Sequence, residues 1–306
     1  MMMTQAVHPT QTGRDAPGSA VCAAGLDRQP DWSRLPVGPQ RIVCLTEETT
    51  EWLYLLGQQH RIVGISGYTV RPKQARQEKP RISAFTSARL DKILALQPDC
   101  VLGFSDMQAD IANALIRAGV PVTVFNQRSV AQIFDVLFQV AALVGQGAPG
   151  LGLIQKMQQE MQSIQALAAN LPCRPKIYFE EWDEPHISAI QWVSELIGIA
   201  GGDDIFPELA RQSLGKHRII ADSADIVRRN PDIIIGSWCG KKFRPENVAA
   251  RASWSEVAAV KAGQLFEIKS CDILQPGPAA LTDGLAQLHR IIRDWASQKA
   301  LAGAAA

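Results

Sequence analysis

The chain lacks most of the features that assign a protein at sight. Its six cysteines (Cys22, Cys44, Cys100, Cys173, Cys239, Cys271) form no C-x-x-C pair, so no zinc ribbon, dithiol centre or disulfide framework is indicated, in keeping with a reducing compartment. No apolar run approaches the roughly 20 residues that span a bilayer. Charge of one sign is missing too: 31 basic and 30 acidic residues leave a net charge of +1, without a basic run, which excludes an electrostatic footprint for nucleic acid. The phosphate-loop pattern G-x-x-x-x-G-K-[ST], the nucleophile elbow G-x-S-x-G and the zinc-protease pattern H-E-x-x-H are all absent. The first 40 residues carry no basic start followed by an apolar core. Ala20–Ala24 are only mildly apolar, and Cys22 has no leucine-rich stretch before it. As written, the sequence predicts a flexible leader over 1–38 and a cytoplasmic protein, or a periplasmic one if translation starts elsewhere.

What is present is a cassette that occurs twice. Leu90-Asp91-Lys92-Ile93-Leu94-Ala95-Leu96-Gln97-Pro98-Asp99-Cys100-Val101-Leu102-Gly103 returns as Ser223-Ala224-Asp225-Ile226-Val227-Arg228-Arg229-Asn230-Pro231-Asp232-Ile233-Ile234-Ile235-Gly236. Each copy reads as a short helix, a Pro-Asp break, a buried strand and a glycine. Two copies imply two similar lobes, and the residues beyond the strands, Phe104 and Trp238, become facing walls of a cleft. A chain of 306 residues is long enough for two domains, each with its own core.

Strand and helix patterns alternate on both sides of a central helical run, which predicts an α/β fold of two Rossmann-like lobes with mainly parallel sheets, joined by one long helix. The first lobe covers 39–146. It opens on strand Arg41–Leu45, followed by Thr46 as a helix cap with Glu47 and Glu48 at the positive helix end. The connecting segment is 147–171, with its helix expected from Leu153 to about Ala169 because Gly145–Gly152 is rich in glycine and proline. Those 17 residues would make a rigid rod of roughly 25 Å. The second lobe covers 172–299. It begins with strand Lys176–Phe179 and a polar loop, Glu180 to His186, and it closes on an amphipathic helix from about Ala279 to Trp295. The alanine-rich end, 300–306, reads as a disordered tail.

These elements together resemble the class III substrate-binding proteins of ABC importers, and most of all the vitamin B12-binding proteins among them. The resemblance rests on the paired cassettes, Arg41-Ile42-Val43, Val63-Gly64-Ile65-Ser66-Gly67-Tyr68 and Gly201-Gly202-Asp203-Asp204-Ile205-Phe206, and covers Gln40 to Trp295. It implies a monomeric, non-catalytic binding protein that needs no catalytic cofactor. Its ligand would be a corrinoid, cobalamin, with a ferric siderophore or haem as the alternative, and its partner an ABC transporter permease. The positions that match ligand contacts are Tyr68, Phe85, Phe104, Trp182, Trp238 and Asp272. An aromatic-lined cleft with a few polar groups suits a broad, mostly apolar disc edged with amides. The resemblance also implies docking through an acid on each cassette helix. Asp91 stands at the first such position; at the second stands Ala224, with the acid displaced to Asp225, a rotation of about 100° around the helix.

Other residues invite chemistry of their own. His186 and His217 are loop histidines that could coordinate a metal, and Cys239, followed by Lys241-Lys242, could carry a favoured thiolate on the ligand face. That thiol leaves open a third reading, a cytosolic corrinoid- or metal-handling enzyme on the same fold. Arg211 and Arg218 would suit an anionic ligand. Glu180, Glu181, Asp183 and Glu184 read as a solvated loop rather than a catalytic pair, because no nucleophile accompanies them. Trp192, Trp254 and Trp295 lie on helical patterns and read as core.

Overall fold

The computed structural model describes residues 37–304; Cys22 and nearly all of the expected leader lie outside them. Five strands make the first sheet: β1 (Ile42–Cys44), β2 (Ile62–Ser66), β3 (Arg81–Ser83), β4 (Cys100–Phe104) and β5 (Val122–Phe125), all parallel, in the order β3-β2-β1-β4-β5. The second sheet holds β6 (Lys176–Asp183), β7 (His186–Ser188), β8 (Asp203–Asp204), β9 (Ile233–Gly236) and β10 (Leu265–Glu267). Its order is β10-β9-β6-β7, with β8 on the first residues of β6, and only the β6–β7 pair is antiparallel. The helices used below are α1 (Glu47–Leu55), α2 (Leu90–Ala95), α3 (Ala109–Arg117), α4 (Val130–Leu143), α5 (Gly147–Ala169), α6 (Gln191–Ala200), α7 (Ser223–Arg229), α8 (Ser270–Ile273) and α9 (Leu285–Ala304).

Alternation along the strands sorts the apolar residues into layers. Ile42 and Cys44 of β1 face one layer, Val43 and Leu45 the other. In β6 and β9, Ile177, Phe179, Ile233 and Ile235 face the first layer, while Tyr178 and Ile234 face a separate cluster of the second lobe. The first layer takes residues from both sheets and from the helices packed on them, including Trp52, Leu137, Trp192, Ile273 and Leu288. One apolar cluster therefore runs through both lobes, and each lobe has a further cluster of its own.

The cassette has a physical basis in each lobe. Asp99 accepts the backbone N–H groups of Gln40 and Arg41 at 2.7 and 2.8 Å, pinning the start of β1. Asp232 does the same for β6, accepting the Lys176 N–H at 2.9 Å. Each terminal glycine lets a later side chain fold back across the strand. A Cβ on Gly103 would come within 2.7 Å of Gln108 Oε1, and one on Gly236 within 2.0 Å of the Phe243 ring.

Three elements differ from expectation. Helix α5 starts at Gly147, not Leu153. Pro149 sits in its first turn, where no N–H is needed, and Gly150 packs on α4, where a Cβ would meet that of Ala141 at 2.4 Å. The acids after Phe179 continue β6 to Asp183 and turn back into β7. The alanine-rich end stays helical to Ala304, as the high helix propensity of alanine allows.

Candidate functional site

Both sheets aim the ends of their parallel strands at a shared cleft, which contains a cavity of about 330 Å³. The first lobe contributes Phe85 after β3, Phe104 at the end of β4 and Arg128 after β5; the second contributes Trp182, Arg218 and Cys239. Phe85 and Phe104 lie 6.5 Å apart with tilted rings, and the Arg128 guanidinium stands 4.8 Å over the Phe104 ring, within cation–π range. A second concavity, about 470 Å³, lies along the outer side of α1 beside Tyr54 and Val70, away from these strand ends.

The first-lobe wall is braced from behind by Gln108, a buried side chain with no signal in the sequence. Its Oε1 accepts the Phe104 N–H at 2.9 Å, and its Nε2 donates to the Phe85 carbonyl at 2.9 Å. Gly103 makes room for this bridge. Ser105, next in the chain, has φ of +73°, a region that non-glycine residues enter at a cost, so the turn at the cavity is strained. Its Oγ accepts from Arg128 Nη2 at 3.1 Å and holds that guanidinium at the rim.

The two arginines differ in charge balance. Arg218 is buried and bidentate to Glu181, at 2.6 and 2.9 Å, and also donates to the Ser188 carbonyl. Such a pair is internally neutral. The carboxylate nearest Arg128 is that of Asp106, 3.9 Å away. The Nε–H groups of both arginines are buried without partners among the described residues. The cavity thus presents aromatic faces, one neutralised arginine and one cation with unused donor capacity.

Four of the expected ligand positions need closer placement. Trp182 and the two phenylalanines line the cavity, with Trp182 on β6 rather than in a loop. Trp238 does not: it is 4% exposed in the second-lobe core, edge-on to Phe243 at 5.0 Å, with its Nε1–H donated to Glu180 at 3.1 Å. Tyr68 is 57% exposed on the loop after β2 and lies outside the cavity lining. Asp272 is on α8, ion-paired to Arg71 at 3.0 Å and bonded to Gln287, also outside the lining. Trp192, expected as core, is buried but also reaches the cavity wall.

The acidic loop expected after Phe179 is instead a buried network. Glu180 accepts from Arg251 (2.7 and 2.8 Å), the Tyr178 hydroxyl and Trp238, and sits 3.2 Å from His186 Nδ1. Burial alone would raise its pKa, but bonds from His186 and Arg251 hold it below the usual carboxylate range. His186 thereby has its Nδ1 committed to this carboxylate. Among the described residues no three metal-ligating side chains converge. The Cys239 thiol is pushed up by desolvation and by the nearby Glu181 and Glu47, the Ser270 hydrogen bond notwithstanding, so the expected favoured thiolate is not formed.

On the outer surface, Asp91 bonds Arg89 at 3.0 Å, and Asp225 pairs with Arg228 and Arg229 at 3.4 and 3.2 Å.

The profile of one family, described as periplasmic binding protein, matches residues 42–271. An uncharacterised ABC transporter substrate-binding lipoprotein of Bacillus subtilis is 23% identical over 83% of this chain and 80% of its own length. Among solved structures, the periplasmic vitamin B12-binding protein of Vibrio cholerae superposes with a TM-score of 0.69 at 20% identity, covering 85% of this chain and 99% of that one. A periplasmic haem-binding protein of Roseiflexus superposes with a TM-score of 0.72 at 20% identity, covering 83% and 100%. These likenesses show a shared fold.

Proposed function

Because this chain belongs to the periplasmic binding protein family, whose members are solute-binding proteins rather than enzymes, we propose that it holds a corrinoid such as cobalamin between its lobes for an ABC importer. The observation that carries this reading is the cavity itself. Phe85, Phe104 and Trp182 supply flat apolar faces from both lobes, and Arg128 supplies donors at the edge. That combination suits an apolar disc with acceptor groups around its rim. At about 330 Å³ the cavity is at the small end of ligand pockets, so a corrinoid would be gripped along part of its disc rather than enclosed. The name of the Vibrio relative supports the same ligand class.

A second reading has its own support. With Arg218 neutralised by Glu181 and Arg128 not closely paired, the cavity favours a ligand carrying a carboxylate, which haem does through its propionates. The haem-binding relative supports that choice. Titration with cyanocobalamin, aquocobalamin, haemin and a ferric siderophore, followed by absorbance and heat, decides between them. Binding to none overturns both readings. Arg128→Met should weaken haemin at least tenfold and cyanocobalamin far less.

Family membership also supports an exported protein over the cytoplasmic one expected from the first 40 residues, of which 1–36 lie outside the described residues. No described helix is long and apolar enough to cross a membrane. Mass spectrometry of the mature N-terminus tests the location. Asp91 and Asp225 remain the proposed permease contacts: Asp91→Lys should lower transporter-dependent uptake and leave ligand affinity unchanged.

A further inference from the structure

The segment from α8 to Ala279 belongs to the second lobe and has two faces. Leu274, Gln275 and Pro276 form part of the cavity wall. The residues that follow rest on the first turn of α1, in the other lobe. Gly277 lies so close to Glu48 that a Cβ there would meet the Glu48 Cβ at 2.4 Å. The Ala279 N–H donates to Glu51 at 3.2 Å, and Gln127 holds the Pro276 carbonyl at 3.1 Å. One wall of the cavity is therefore seated on α1.

That seat is made of acids. Glu47, Glu48 and Glu51 are all buried. The groups facing them from neighbouring elements are Cys44 on β1, Arg71 on the loop after β2, Cys239 after β9, and Cys271, Asp272 and Asp283 on the second-lobe segment. Arg71 is the one cation among them, and its donors go to Glu51 at 2.9 Å, Asp272 at 3.0 Å and Asp283 at 2.6 Å. Glu47 has only the Arg71 backbone N–H at 2.9 Å in addition to that of Val70. Glu48 accepts from the Thr46 hydroxyl at 2.6 Å, Thr46 makes no side-chain cap on α1, and the other Glu48 oxygen is buried without a partner among the described residues. A charge on either carboxylate would be buried with no cation of its own, an unfavourable state that the neutral acid avoids.

We propose that Glu47 and Glu48 form a protonation-controlled seat for the cavity wall: as neutral acids they let the 274–279 segment close onto α1, and their ionisation loosens it and weakens ligand binding. Burial acts in the same sense, pushing Glu48 up to about 7 and Glu47 up to about 8, so the transition falls near neutral pH. Each coupled proton can change affinity by up to about tenfold per pH unit above its own titration.

The test compares wild type with Glu47→Gln/Glu48→Gln, which keeps the shape and removes the charge. Hydrogen exchange of amides 271–279, corrected for the intrinsic rate, should lose at least tenfold protection from pH 6 to pH 9 in the wild type and stay within twofold in the variant. Cyanocobalamin and haemin affinity should fall over the same range in the wild type alone. This second measurement rests on the solute-binding reading; if neither ligand binds, that reading fails and exchange still decides the seat. Parallel exchange profiles in the two proteins overturn the proposal. Should the double variant not fold, Glu48→Gln alone must remove the lower-pH part of the transition, and an unchanged profile refutes the seat.

Discussion

Two tryptophans that look alike in sequence should respond in opposite ways to truncation, and the contrast tests the placement of the site. Trp238→Ala removes an indole that is almost wholly buried against Phe243 and takes one donor from Glu180, which keeps Arg251, His186 and Tyr178. The cost of such a cavity is about 3–5 kcal/mol, or a loss of roughly 6–20 °C in Tm at about 2–4 °C per kcal/mol. Trp182→Ala removes a partly exposed ring that gives its Nε1–H to the Glu184 carbonyl, and should cost only about 1 kcal/mol of stability. Binding is where Trp182 matters. If a ligand covers about 80 Å² of the ring, its loss removes about 2 kcal/mol at 25 cal/mol/Å², a roughly thirtyfold rise in Kd. Thermal unfolding and calorimetric titration on both variants, with whichever of cyanocobalamin and haemin binds the wild type, measure both quantities. Binding by Trp182→Ala within twofold of wild type, or a Trp238→Ala Tm within about 2 °C of it, would refute this placement.

Arg71→Met removes the cation shared by Glu51, Asp272 and Asp283; because Arg71 is 29% exposed, the loss should be limited to about 1–3 kcal/mol, read as a lowered denaturant midpoint. Gly277→Ala places a methyl against Glu48 Cβ and should destabilise by about 1–3 kcal/mol, with ligand affinity falling because Pro276 must move with it. Stability itself should decline with rising pH. Glu48 holds its proton up to about 7 when folded against an ordinary carboxyl value when unfolded, so the folded state carries the extra proton and loses that advantage as pH rises from about 4.5 through 7. The wild type should give up about 3 kcal/mol across that window relative to Glu48→Gln in urea titrations, and equal slopes would refute the assignment.

The parts of the fold that sequence makes legible are those decided by neighbours in the chain. Strands β4 and β9 and their preceding helices announce themselves because Pro-Asp, an apolar run and glycine are contiguous. What the sequence withholds is who meets whom. Glu180 to Asp183 read as a solvated loop because Arg251, which turns Glu180 into a core residue, lies 71 residues away. Trp182 and Trp238 both follow apolar strands into polar surroundings; only the packing of Phe243 across Gly236 shows that the second is interior. Tyr68 and Asp272 match ligand positions by motif, yet the loop after β2 turns one toward solvent and Arg71 claims the other. The acids opening α1 look like ordinary partners of a helix dipole until the segment around Gly277, more than 200 residues downstream, covers them.

The repeated cassette can now be divided by the work each part does. Asp99 and Asp232 pin strand starts, and Gly103 and Gly236 admit Gln108 and Phe243, so everything from the Pro-Asp onward is accounted for by folding. The helix acids divide. Asp91 touches only Arg89 two residues away and supports nothing behind it, whereas Asp225 holds Arg229, which packs over Phe206 and pairs with Glu208 in the lobe body. An acid that folding leaves unexplained is where a partner surface would be expected. The two are unequal in exposure as well. Asp91 is 66% exposed with one exposed arginine to displace, whereas Asp225 is 31% exposed between two. An arginine on a partner would therefore gain more at the first lobe than at the second. Because exposed pairs are weak and screened by salt, docking by these helices should be led by the first lobe and should weaken as ionic strength rises.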